Sequence, residues 1–159
     1  LLDDNSAKVM AKNAAYLVPT NVTYQALYKH GKEFGFPEAS MEKLEDVLEV
    51  GLRAVEIAKN NGVKIGHGSD LLGKCQTYQS DEFILKAEVL GNYEAIRQAT
   101  EVNAEILNMS DQLGVIKSGA FADIVIIDGN PISDISLLTN QGQYMPAIMK
   151  DGIFYKNTL

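Results

Sequence analysis

Residues 63–70 read VKIGHGSD, a stretch that begins as a buried strand and ends in polar residues that a strand does not need. Val63 to Gly66 shows no clean alternation of apolar and polar residues, as expected in a parallel sheet covered on both faces. In α/β proteins, ligands and catalytic groups lie at the carboxyl ends of parallel strands. The carboxylate of Asp70, just past such an end, is therefore the first candidate for a functional group.

A long amphipathic helix precedes this strand. Its apolar residues recur at steps of three and four, which predicts about five or six turns with one apolar face; they are Leu44, Val47, Leu48, Leu52, Val55 and Ala58. Ser40 is predicted to cap the start of this helix, and Gly62 lies just past its end. An earlier apolar run, Tyr16 to Thr20, predicts a preceding strand. Strand, helix and strand in this order predict a parallel βαβ unit.

Three further helices are predicted outside this unit, at about Asp4–Asn13, Asp81–Leu90 and Tyr93–Asn108, with Asn92 capping the last. The stretch from Asn21 to Pro37 is mostly polar and broken by glycine and proline, so no element is predicted there.

After Met109 the chain changes character to β-branched runs between glycines. Ile124 to Ile127 predicts a strand. Asp151-Gly152, between two more apolar runs, is a strong signal for a β-hairpin. We therefore expect two parts, residues 1–109 in the α/β unit and residues 110–159 in a small β unit.

Composition narrows the classes of partner. The chain has 159 residues and a net charge of −7, without a run of lysine and arginine. This argues against nucleic acid and anionic membranes as partners, and no apolar run reaches the roughly 18–20 residues that span a bilayer. Cys75 is the only cysteine, so no internal disulfide can form, which favours a reducing, cytoplasmic compartment. The sequence leaves the location otherwise open.

Two interpretations of Asp70 follow from its position. Strand alternation places Asp70 on the same side as Gly66 and Gly68, which predicts room there for an ion, a water or a substrate. The alternative is a structural aspartate in a turn or at a helix N-cap.

The other potential metal ligands are poorly placed. Alternation points His67 away from Asp70, so a packed or surface histidine is favoured, and His30 is expected at the surface. Cys75 has no C-x-x-C partner and is expected to be inert. A metal site needs three or four protein ligands, and the chain shows no H-x-H, H-E-x-x-H or clustered carboxylates. Taken alone, the chain does not assemble a complete site by these patterns.

The stretch EAIRQATEVNAEILNMSDQLGVIKSGAFADIVIIDGNPI, together with YLVPT and KIGHGSD, resembles the C-terminal third of metal-dependent amidohydrolases. The nearest branch is the imidazolonepropionase-like and prolidase-like dipeptidase group. The residues that match the family pattern are Ala99, Thr100, Ala104, Leu107, Gly114, Ile116, Gly119, Ala122, Asp123, Ile124 and Val125.

This resemblance implies an α/β fold: the C-terminal portion of a (β/α)8 TIM barrel, about strands seven and eight with their helices, plus part of a small β-sandwich. It makes Asp70 the aspartate after the eighth strand, which ligates a divalent metal, usually zinc, and takes a proton from the attacking water. It makes Asp123 structural, gives His67 no role, and places Leu1 where the chain leaves the sixth strand. The family's other metal ligands have no counterpart here.

The resemblance therefore implies a C-terminal piece of a hydrolase that cleaves an amide or peptide C–N bond with one or two metal ions. The substrate is a dipeptide, an acyl amino acid or a cyclic amide, and the partner is the rest of the barrel. Alone, the piece is expected to be inactive and to bind metal weakly. The alternative function is a non-catalytic binding or oligomerisation module, in which Asp70 is a turn residue and open strand edges pair with another subunit.

Overall fold

The computed structural model describes residues 2–159, apart from the side chain of Glu49, so the place predicted for Leu1 lies outside the described residues. The helices are α1 (Asp4–Lys12), α2 (Asn21–His30), α3 (Glu38–Asn60), α4 (Glu82–Leu90), α5 (Asn92–Arg97) and α6 (Asn103–Ile106). A π-helical segment, Gln98–Val102, joins the last two, and 3₁₀ turns lie at Gly73–Asp81, Ile135–Leu138 and Asn140–Gly142. Within the described part of the chain, no helix is long and apolar enough to cross a membrane.

The predicted parallel βαβ unit is confirmed. Strands β1 (Tyr16–Leu17) and β2 (Lys64–Ile65) pair in parallel, with Leu17 opposite Ile65. The core against them is formed by buried residues of α1, of α3 and of residues 63–65, namely Ala7, Val55, Ala58, Val63 and Ile65. Burial of this apolar stripe explains why the three- and four-residue pattern was readable from the sequence.

The start of α3 differs from the prediction. The helix begins at Glu38, and Pro37 occupies the cap position with φ −62° and ψ 154°. The carbonyl of Pro37 accepts the first helical bonds from the N–H groups of Ser40 and Met41, at 2.9 and 3.2 Å. The predicted Ser40 cap is therefore wrong, because the helix begins three residues earlier than that cap would place it.

Helix α2 fills the stretch for which no element was predicted. Only a narrow face of it is apolar: Val22 and Ala26, one turn apart, are buried. They pack against Leu71, Cys75 and Leu85. Two apolar residues among many polar ones are too few to predict an amphipathic helix from the sequence.

The last helical stretch is less regular than predicted. Gly91, with φ +86°, precedes α5, and the predicted cap residue Asn92 instead donates its side-chain amide to the carbonyl of Ile132 at 3.0 Å. Its π-helical segment carries Thr100, whose backbone carbonyl would lie 2.5 Å from a Cβ on Gly114. Because Gly114 has no Cβ, its backbone can pack directly against the backbone of the π-helical segment. The predicted Asn92 cap is wrong.

The β unit is an antiparallel sheet of β3 (Ile124–Ile126), β4 (Ala147–Lys150) and β5 (Ile153–Asn157), in that order. Asp151 and Gly152, with φ of 49° and 78°, form the predicted hairpin turn. The carboxylate of Asp123 accepts a hydrogen bond from the Asp151 N–H at 2.7 Å and lies 3.7 Å from the Lys150 ammonium. Asp123 therefore has the structural role predicted for it. The division between residues 109 and 110 stays a prediction.

Candidate functional site

Asp70 lies at the end of residues 66–70, which we call the strand-end segment. The strand ends at Ile65, and Asp70 is exposed in the left-handed region with φ +50°. The next helical turn begins at Gly73 after Leu72, so Asp70 caps no helix. Its carboxylate is accessible on this chain and its backbone is turn-like, so the geometry of the chain alone does not separate a ligand from a turn residue.

The expectation that Gly66 and Gly68 leave room for an ion is wrong. A Cβ on Gly66 would overlap Ile106 Cδ1 and would lie 2.9 Å from Asn103 Oδ1. A Cβ on Gly68 would lie 2.8 Å from Val18 Cγ1. The two glycines therefore admit close packing of neighbouring side chains rather than a cavity, and the alternation argument fails because the strand stops at Ile65.

Side chains hold the peptide groups of the strand-end segment. Asn103 on α6 brackets His67: its Oδ1 accepts from the His67 N–H and its Nδ2 donates to the His67 carbonyl, both at 2.9 Å. The Thr23 hydroxyl on α2 donates to the carbonyl of Ser69. The backbone before Asp70 is thus fixed from two separate helices.

Helix α4 contributes two buried charged residues, Glu82 and Lys86, both with 0% exposure. The Lys86 ammonium donates to the carbonyl of Gly66 and, at 3.3 Å, to Oε1 of Gln98. Glu82 Oε2 accepts from the Val22 N–H at 2.8 Å. Burial raises the pKa of Glu82 and lowers the pKa of Lys86, and each charge opposes that shift in the other.

His67 is a packed histidine, as predicted. Its ring lies against Phe83 with centroids 4.2 Å apart and planes tilted by 30°. Burial, with the nearby Lys86 charge as a second cause, lowers the pKa of His67 to about 4. Its Nδ1 is buried and finds no hydrogen-bond partner among the described residues. The imidazole is therefore neutral across the physiological range.

The remaining candidates, His30 and Cys75, have other contacts. His30 is partly buried rather than at the surface, since its Nε2 lies 2.9 Å from the hydroxyl of Tyr78. Cys75 is a free, buried thiol in the apolar cluster under α2, as expected for an inert cysteine. Among the described side chains, no group of three or more His, Cys, Asp or Glu could hold a metal ion. On this chain Asp70 can therefore be one ligand of a metal site and not the whole of it.

Sequence reasoning missed Glu82, Lys86 and Asn103. A signal was present for the first two, because they lie one turn apart in the mostly apolar helix EFILKAEVL. Asn103 carries no local signal of its own, since a polar residue in a helix usually faces solvent.

The family model for amidohydrolases matches residues 1–151. The chain belongs to the amidohydrolase family. A search of the curated proteins found no match to the chain.

Solved structures of amidohydrolases extend this result. A prolidase complexed with N-methylphosphonate-L-proline is 50% identical, with 99% of this chain and 38% of that one covered and a TM-score of 0.94. A Xaa-Pro dipeptidase with methionine bound in its active site is 32% identical, with 98% and 38% covered and a TM-score of 0.84. A putative prolidase from Bifidobacterium longum, 23% identical with 97% and 40% covered and a TM-score of 0.80, shares the fold.

The predicted family and fold class are confirmed by these likenesses. The amidohydrolase chain spans 38% of the length of the first two structures. It matches a portion of a TIM-barrel fold, and within the described residues its two parallel strands do not close a barrel.

Proposed function

We propose that the full-length protein containing this chain hydrolyses the C–N bond of a dipeptide, with Xaa-Pro dipeptides as the favoured substrates. The observation that carries the proposal is 50% identity over 99% of the chain to a prolidase complexed with a phosphonate analogue of an acyl-proline. Acyl amino acids and cyclic amides are the next candidates, because they present the same type of C–N bond.

The proposal includes a divalent metal ion, with zinc as the first ion to test, and Asp70 as one of its ligands. Its carboxylate is exposed just beyond the segment that follows a parallel strand and offers the oxygen donors that such ions accept. When bound, a divalent ion polarises the scissile carbonyl and makes water more acidic. The remaining ligands come from parts of the protein outside this chain.

Asp70 then acts as general base. Its carboxylate takes the proton from the attacking water and returns it to the leaving nitrogen as the C–N bond breaks. No hydrogen bond within the described residues occupies this carboxylate, and burial does not hold it away from solvent. His67 is excluded from this role, because its ring is packed against Phe83.

The proposal is tested by the substrate preference of the full-length protein. Hydrolysis of an Xaa-Pro dipeptide is compared with that of the matched Xaa-Ala dipeptide and of an acyl-proline. A higher kcat/KM for the Xaa-Pro dipeptide, lost on dialysis against a chelator and restored by zinc, is expected. Absence of hydrolysis of all three in the zinc-loaded protein would contradict the proposal and favour a binding module.

A further inference from the structure

We propose that Lys86 and Asn103 are positioning residues that fix the strand-end segment and thereby orient Asp70; the catalytic part of this inference rests on the proposed function. The two side chains come from different helices and bind backbone groups of consecutive residues, Gly66 and His67.

Lys86 replaces a donor that the neighbouring strand lacks. The Gly66 N–H donates to the Leu17 carbonyl at 2.9 Å, which extends the parallel ladder by one bond. In this register, the next donor to the Gly66 carbonyl is the backbone nitrogen of residue 19. Residue 19 is Pro19, which has no N–H to give. The ammonium of Lys86 donates to that carbonyl instead.

Asn103 does the equivalent work on the other edge of the strand. The N–H and the carbonyl of His67 both bond to the Asn103 side chain and not to β1. The Asn103 amide supplies one acceptor and one donor to them, both at 2.9 Å. The Asn103 amide thus takes the place that a neighbouring strand would have beside His67. The ladder ends here, yet the N–H and the carbonyl of His67 both keep a hydrogen-bond partner.

The need to fill space in the core does not by itself explain a lysine at position 86. It is completely buried, and an ammonium in the interior is stabilising only when its charge and its hydrogen atoms are matched. Two acceptors, Gly66 and Gln98, and the charge of Glu82 one turn away provide that match. An apolar side chain would fill the space without this requirement, but it could not hold the Gly66 carbonyl.

Helix α4, which carries Lys86, also contacts the segment that follows β1. Glu82 accepts from the Val22 N–H at the start of α2, and Thr23 of that turn donates to Ser69. Helix α4 therefore links the segment after β1 to the segment after β2. We expect a change at Lys86 to move Asp70 relative to groups contributed by neighbouring strands.

The test uses Lys86→Met and Asn103→Asp in the full-length protein. Lys59→Met is the control, because Lys59 also donates to a backbone carbonyl, that of Val89, and not to the strand-end segment. For both test variants we expect kcat to fall at least tenfold with KM changed less than threefold, and hydrogen exchange of residues 66–71 to accelerate. The control should retain the wild-type values for all three.

Hydrogen exchange separates this inference from the proposed function. Folded Lys86→Met and Asn103→Asp proteins with wild-type exchange at residues 66–71 and wild-type kcat would overturn the inference. Where Lys86→Met does not fold, the double variant Glu82→Gln/Lys86→Met, which removes both buried charges, gives the same reading. Accelerated exchange together with full activity of Asp70→Asn would overturn the proposed role of Asp70 and leave the backbone role of Lys86 and Asn103 in place.

Discussion

The imidazole of His67 stacks on the ring of Phe83 at a centroid distance of 4.2 Å. His67 precedes Asp70, the candidate catalytic residue, by three positions. A histidine so close to a candidate metal ligand invites a role as a second ligand. Its packing, its buried Nδ1 and its lowered pKa argue for a neutral packing residue instead.

The first prediction concerns the titration of His67. Its pKa of about 4 in the folded state lies below the ordinary value of 6.5, so proton binding favours the unfolded chain. The contribution of neutral His67 to the free energy of unfolding is therefore fully present above about pH 6.5. It is lost as the pH falls toward 4, by up to about 3 kcal/mol. Its ring proton resonances, assigned with His67→Gln, should stay constant by NMR from pH 8 to 5.5. A midpoint near 6.5 would show an exposed or rearranged ring.

The second prediction concerns the close approach at Gly68. Gly68→Ala places a methyl group 2.8 Å from the original position of Val18 Cγ1, and overpacking of this kind costs about 1–3 kcal/mol. Urea unfolding should show this loss, and the double variant Gly68→Ala/Val18→Ala should recover most of it, because the shortened side chain vacates the space. A double variant no more stable than Gly68→Ala would place the strain elsewhere.

The third prediction concerns the tie between Asp123 and the hairpin turn. Asp123→Ala removes the acceptor of the Asp151 N–H and should lower the free energy of unfolding by about 1 kcal/mol. Asp128→Ala, at an exposed carboxylate beyond β3, is the control and should change it by less than about 0.5 kcal/mol. Equal losses in the two variants, measured by urea unfolding, would remove the structural role of Asp123.

The fourth prediction concerns the chain in isolation. Its β unit exposes large apolar side chains: Val125 at 48%, Ile153 at 64%, Phe154 at 47% and Tyr155 at 73%. Exposed apolar surface and open strand edges favour association, so the isolated 159-residue chain should form oligomers or aggregates in light scattering. A compact monomer at high concentration would contradict this and show that these surfaces need no partner.

The sequence predicted well those features that depend on long or regular patterns. The stripe of α3 was readable because Val55 and Ala58 are completely buried on one face. The hairpin was readable because Asp151-Gly152 adopts positive φ values that few other pairs accept. Helix α2 was missed because its buried face is almost reduced to Val22 and Ala26.

The site was predicted less completely, for a different physical reason. Asp70 was found because a polar residue after a buried strand is a local signal. The contacts of Gly66 with Ile106 and of Lys86 with Gly66 join residues far apart in the sequence, and no local pattern encodes them. The glycines therefore suggested open space where the fold brings in side chains from α6 and from the end of β1.

The central claim is that the carboxylate of Asp70 takes part in hydrolysis by the full-length protein. Its most direct test is kcat for an Xaa-Pro dipeptide in Asp70→Asn, beside Asp46→Asn at an exposed position of α3, with folding verified by circular dichroism. Loss of a general base predicts a fall of about 100-fold or more for Asp70→Asn and none for Asp46→Asn. A folded Asp70→Asn protein with the wild-type rate would contradict the claim.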